Sequence, residues 1–133
     1  MSSALYDRGR QRFLEAEIDW LTDDIRVALI DTGTYTPILA THQWFSELSG
    51  VVATSGLLAG KNSTAGVADA ADITITAVAG SSVEALVLYK DTGVAGTSPL
   101  IAYIDVGTGL PFTPNGGDVL ISWDSGSSKI FKL

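Results

Sequence analysis

Apolar and polar positions alternate along much of this chain, and the alternation is plainest in "DIRVALIDT". There Ile25, Val27 and Leu29 fall opposite Arg26, Ala28 and Ile30, the period-two signature of a strand. Beyond residue 50 the signal recurs in "VVATSGLLA", "DITITAV", "VEALVLYK", "PLIAYID", "DVLISW" and "KIFKL". These runs are short, rich in Val, Ile, Thr and Tyr, and separated by clusters of Gly, Ser, Asp and Asn. Roughly seven or eight strands with turns every ~8–15 residues predict an antiparallel sandwich, a jelly roll or a small barrel. No second helical pattern of useful length interrupts them, which argues against parallel βαβ units.

The first residues break the period. "SALYDRGRQRFLEA", residues 3–16, predicts a short helix capped by Ser3, with Asp7 in its early turns and Leu5, Gly9, Phe13 and Ala16 along one stripe. Gly9 weakens that helix by about 1 kcal/mol relative to Ala, so it needs a surface to dock on. No repeat or linker divides the chain. The expectation is one domain of 133 residues, a helical segment over 1–17 and a β body over 18–133, of antiparallel β-sandwich or jelly-roll type.

Three stretches invite a sharper reading. In "PFTPNGGDVLISW", Pro114-Asn115-Gly116-Gly117 opens a strand and not a helix, so it is turn chemistry and not a phosphate cradle. That strand should present Val119, Ile121 and Trp123 to the core and pair with "KIFKL" through a turn at 124–128. "GLLAGKNST" has three residues between Gly56 and Gly60-Lys61 and an Asn where a P-loop carries Ser or Thr; it reads as loop, as does its Asn62-Ser63-Thr64 sequon. "THQWFSEL" predicts one helical turn or a loop that plugs the core with Trp44 and Phe45.

Composition narrows the chemistry. The chain has no cysteine, which excludes disulfides and thiolate sites, and its one histidine, His42, has no Ser or Asp at a recognisable triad spacing. Asp19, Asp23 and Asp24 cluster in "DWLTDD", and Asp69 and Asp72 in "DAAD", but neither follows calcium-loop spacing. The expectation is no catalytic residue, no metal and no cofactor. The aromatics are spread through apolar patterns and read as core.

A net charge of −7 disfavours nucleic acid as a direct partner, no run approaches the ~18 residues of a membrane span, and no apolar leader marks the start for secretion. Charge is nevertheless unevenly placed. All four arginines lie in the first fifth of the chain, and Tyr6, Arg8, Arg10, Arg12 and Phe13 make the N-terminal segment a candidate partner-binding surface.

The order "ALYDRGRQRFL", "IDWLTDDIRVALIDT", "EALVLYKDTG", "SPLIAYID" and "GLPFTPNGGDVLISWDSGSSKIFKL" resembles small virion structural proteins of tailed bacteriophages and prophages across nearly the whole chain. The resemblance implies a non-enzymatic virion protein assembled in the bacterial cytoplasm. The most similar role is a capsid decoration, or cement, protein bound to the major capsid protein or other virion subunits. It further implies a homo-oligomer, dimer or trimer, and carries over no catalytic residue. The alternatives are a tail, collar or head-fibre component, or a carbohydrate- or receptor-binding sandwich module.

Overall fold

A computed structural model of the chain describes residues 4–105, 112–123 and 130–132. Its centre is an antiparallel pair, β2 (Ile25–Ile30) and β7 (Ala85–Lys90), in register from Ile25 opposite Lys90 to Ile30 opposite Ala85. Both strands are apolar at nearly every position, which is what a strand needs when both faces of its sheet are covered. β8 (Leu100–Ile104) extends the sheet beyond β7 and β3 (Val51–Thr54) beyond β2. β1 (Ala4–Leu5) adds the outer edge, giving the order β1-β8-β7-β2-β3.

Two smaller sheets complete the β structure among the described residues. One has the order β10-β5-β4, from Phe131–Lys132, Val67–Asp69 and Asn62–Thr64; the other pairs β6 (Ile73–Ile75) with β9 (Val119–Ile121). All pairings are antiparallel. The fold is therefore mainly β with one short helix near its start, as the alternation predicts. The small sheets face the large one across a core of Ile25, Val27, Leu29, Leu86 and Leu88 against Ala68, Ile75, Ile121, Ile130 and Phe131. This is a sandwich-like arrangement; sheets of five, three and two strands do not define a jelly roll.

The opposite face of the large sheet carries a second core, in which Ala28, Ile30, Val87, Tyr89, Leu100 and Tyr103 pack with Tyr6 and Tyr35. No sheet covers it. The connection from Asp31 to Gly50 lies there, contributing Tyr35, Leu39, Phe45 and Leu48. Within that connection Phe45–Glu47 forms a single 3-10 turn, and Phe45 packs its ring 4.5 Å from that of Tyr89. The turn expected in "THQWFSEL" is present and Phe45 plugs the core, but Trp44 does not: it is half-buried outside both cores, with Arg12 over its ring.

Three local expectations are corrected. The helix α1 spans Asp7–Leu14, not 3–16, because Ala4 and Leu5 pair with Tyr103 and Ala102 instead. Tyr6, with ψ 140°, is the residue before the helix and caps it with no side-chain bond, so Ser3, outside the described residues, is too far upstream to be the cap. Second, "DVLISW" and "KIFKL" do not pair with each other: β9 pairs with β6 and β10 with β5. The expected turn at 124–128 lies outside the described residues. Val119, Ile121 and Trp123 do pack towards the core while Leu120 is exposed, as the alternation requires. Third, Asn62–Thr64 is not loop but an exposed edge strand, turned back into β5 by Ala65 and Gly66 at φ 53° and 81°. Two successive positive φ values are the type I′ hairpin geometry. Its polar side chains hide the strand from a search for apolar alternation.

The helix sits where β8 is bulged. Leu88 lies opposite Ala102 and Tyr89 opposite Leu100, which leaves Ile101 as the extra residue. That re-phases β8, so that Ile101 and Ala102 both serve the first core while Leu100 and Tyr103 serve the second. Gly9 lies on this bulge: a Cβ there would be 2.7 Å from the Leu100 carbonyl oxygen and 3.0 Å from that of Ile101. The glycine that weakens the helix is what lets it approach the sheet. Gly9→Ala should therefore lower stability by about 1–2 kcal/mol despite the gain in helix propensity, because the clash is with backbone. Thermal denaturation should show a lower Tm; an unchanged or raised Tm would mean that the helix is not seated on the strand.

Candidate interaction surface

Eight residues are too few for a helix to persist alone, so α1 holds its form by docking. Its inward side is Gly9 and Phe13, four residues apart; Phe13 packs on Phe131 at 5.8 Å between ring centroids. Tyr6, just before the helix, is fully buried, and its hydroxyl lies 2.8 Å from that of Tyr35. Burial, and then the bond to Tyr35, push the Tyr6 hydroxyl far above the ordinary tyrosine range. Of the five residues that sequence assigns to the surface, Tyr6 and Phe13 thus belong to the interior.

Arg12 also turns inward. With its side chain 14% exposed, it donates from Nη1 to Glu17 at 3.0 Å and from Nη2 to Gln43 Oε1 at 2.8 Å. Its guanidinium carbon lies 4.2 Å over the Trp44 ring, a cation–π contact that ties α1 to the 31–50 connection.

Arg8 and Arg10 remain exposed. Among the described residues Arg8 bonds to Gln11 on its own helix, and Arg10 makes an open pair with Asp7 at 3.2 Å. Between them the outward line Asp7, Gln11, Leu14 ends in Leu14, which is 88% exposed. The other described cationic side chains are engaged and half-buried. Arg26 pairs with Asp91 at 2.6 Å and donates to the Ser55 carbonyl; Lys90 pairs with Asp23 at 3.0 Å; Lys61 donates to the Asp23 carbonyl. The outer face of α1 is therefore an apolar knob flanked by two exposed guanidinium groups on an acidic protein. Sequence reasoning found the arginines but missed Leu14. Its signal was a leucine on the polar side of the helix, readable only once the true helix limits are known.

The remaining candidates have structural duties. Asp19 accepts the amides of Leu21 and Thr22, and bonds from the Thr22 hydroxyl and the Leu21 amide hold its carboxyl below the usual range. Asp72 accepts the Trp123 amide, and the Asp69 carbonyl accepts the Trp20 indole. Asp24 is exposed, and its carbonyl accepts the Asp91 amide. Among the described residues no three His, Asp or Glu side chains are grouped to hold a metal ion. Asn115 accepts the Gly117 amide while Gly116 has φ 86°, so "PNGG" is a turn into β9. An open depression of about 280 Å³ lies between Gly50–Val52 and Ala79–Ser81; its one carboxylate, Asp31, already accepts from Gly33 and Thr34. Among the described residues no helix is long and apolar enough to cross a membrane.

Fold and surface together define a β-sandwich-like protein whose most distinctive exposed feature is a docked basic helix with an apolar knob. The chain matches no protein-family model and no curated protein.

Arg12 and its helical neighbours should part company on mutation. Arg12→Ala should cost about 1–2 kcal/mol, since it removes an ion pair, a hydrogen bond and a cation–π contact. Arg8→Ala should change stability by less than about 0.5 kcal/mol. Urea denaturation of the two variants measures the contrast, and equal losses would refute the assignment of inner and outer faces.

A second outcome concerns acid. The Gly93 amide, and then Arg26, hold the Asp91 carboxyl below its ordinary range. A depressed folded value means that Asp91 contributes stability above the unfolded value of about 4 and loses it as pH falls through the folded one. Asp91→Asn should therefore be less stable than wild type at neutral pH, and the gap should close below about pH 4. A gap independent of pH would show that the carboxylate charge is not what matters.

Proposed function

We propose that the chain is a non-enzymatic structural protein of a tailed-phage virion, a decoration protein that binds the outer head surface through the outward face of α1. The observation that carries this reading is Leu14. At 88% exposure it is the most open of the large apolar side chains among the described residues, and it stands on a well-seated helix beside the exposed Arg8 and Arg10. Beside Arg8 and Arg10 it suits an acidic partner surface with an apolar recess, where Leu14 is the anchor and the guanidinium groups pair with carboxylates. The sequence resemblance to phage virion proteins supplies the class of partner, the major capsid protein. In the same reading the protein acts as a dimer or trimer on the shell.

Two further features support a contact role. The helix is fixed by Gly9, Phe13 and Arg12, so its outer face is presented with little entropy left to lose on binding. His42, the one histidine, is held in bonds to Tyr35 and Ile38, which helps fix the 31–50 connection that Tyr6 and Arg12 rest against.

The test is occupancy on particles stripped of the protein and rebuilt with purified chain. Leu14→Ala and the pair Arg8→Glu/Arg10→Glu should each weaken binding by about tenfold or more, while Tm stays near wild type. Wild-type occupancy should fall with added salt. Full occupancy by both variants would overturn the surface, and a copy number matching a tail or neck ring would overturn the head assignment.

A further inference from the structure

Just ahead of β9, residues 116–118 are clasped to residues 77–78. Val78, 2% exposed in the first core, anchors the clasp. Its carbonyl accepts the Gly116 amide at 2.7 Å, and its own amide donates to the Gly117 carbonyl at 2.9 Å. The Ala77 amide adds a bond to Asp118 Oδ1 at 3.2 Å. Within this clasp lies Asn115-Gly116, an asparagine followed by a glycine, both exposed to water.

That dipeptide carries its own chemistry. When base removes the amide proton of the glycine, the nitrogen can bond to the asparagine Cγ, and Nδ2 leaves as ammonia. Water then opens the cyclic succinimide at one of its two carbonyls. Opening at Cγ gives aspartate; opening at the main-chain carbonyl gives isoaspartate, whose backbone runs through Cβ. The balance is amide plus water to acid plus ammonia, with no oxidant or cofactor. Glycine favours the attack because it has no Cβ, and the space a Cβ would take at Gly116 is open. Asn62, the other asparagine of the chain, precedes a serine and lies within the β4–β5 ladder.

The structure sets the two halves of the reaction against each other. The Gly117 amide donates to Asn115 Oδ1 at 2.9 Å, which polarises the Cγ carbonyl and closes a ring containing both Cγ and the Gly116 nitrogen. A Cβ at Gly117 would stand 2.9 Å from that oxygen, so glycine there lets the bond form. The electrophile is primed. The nucleophile is restrained, because the Gly116 proton is committed to the Val78 carbonyl. Removing that proton is also the first step of hydrogen exchange, so the bond that slows one process slows the other.

We propose that Asn115 is a self-modification site gated by the clasp: closed, the clasp holds the Gly116 nitrogen from attack, and each opening exposes Asn115 to conversion into aspartate or isoaspartate. Isoaspartate lengthens the backbone of the turn that leads into β9, so the clasp cannot close again as before. The product is a lasting record of opening. It is a property of the free chain and does not depend on what α1 binds.

The test is mass spectrometry of peptides from the full chain aged at mildly alkaline pH, folded or unfolded in guanidinium chloride, with isoaspartate scored separately. The unfolded chain should deamidate at Asn115, and the folded chain about tenfold or more slowly, the protection expected of two backbone bonds. Hydrogen exchange at the Gly116 amide should be slowed by a matching factor. Asp118→Ala, which removes the acceptor of the Ala77 amide, should speed both processes severalfold in the folded chain and leave the unfolded rates unchanged. If that variant does not fold, the wild-type comparison still decides. No product at Asn115 in the unfolded chain would overturn the site. Equal rates in folded and unfolded wild type would overturn the gate, as would protection of Asn115 while the Gly116 amide exchanges freely.

Discussion

The structure turns on one demand: β2, β7 and β8 are apolar on both faces, so their sheet must be covered twice. Each buried Leu, Ile or Val contributes about 1.5–3 kcal/mol only if water is kept from it. On one side two small sheets supply the cover, in the manner of a sandwich. On the other, an irregular connection with Tyr35, Leu39, Phe45 and Leu48 does the same work. A loop over a core has backbone groups to satisfy, and this one satisfies them both against its neighbours, where Phe45 donates to Ser98 and Gln43 accepts from Leu100, and within itself. Thr34 and Tyr35 amides return to the Asp31 carbonyl, His42 to that of Ile38, and Glu47 to that of Trp44.

The same demand explains the helix. At the edge of the large sheet β1 is only two residues long, and the chain leaves it through Tyr6, which turns into the second core as α1 rises over β8. Phe13 faces the first core. The helix thus bridges the two cores at the sheet's edge. Its inner residues are committed by packing, which leaves Arg8, Arg10 and Leu14 as the part available to another molecule. A rigid inner side and an unpartnered outer side are two consequences of one docking event.

The strands with strong alternation were legible. β2, β7 and β8 lie inside the runs the pattern picks out, and Ile121 is buried where alternation puts it. β1 was misread because "ALYDRG" has helical spacing, and only an available edge on β8 makes extended backbone the better choice for Ala4 and Leu5. β4 was missed because Asn62, Ser63 and Thr64 are all exposed, so no apolar period marks them. At the surface, the arginines were visible as charge, but which of them face outward depends on Gly9 meeting β8 and on Trp44 receiving Arg12.

Sequence by itself determined the antiparallel β class, the positions of the strongest strands, the lack of sulfur chemistry and the concentration of arginine near the start. Those follow from local rules: period two, turn residues, composition. Tertiary structure alone decided the partners. "DVLISW" and "KIFKL" are close in sequence, yet each joins a strand about 45 or more residues away, and Ile121 and Phe131 are both buried in the one core through those separate partners. Long-range pairing is set by which buried surfaces fit, and no local pattern carries that information.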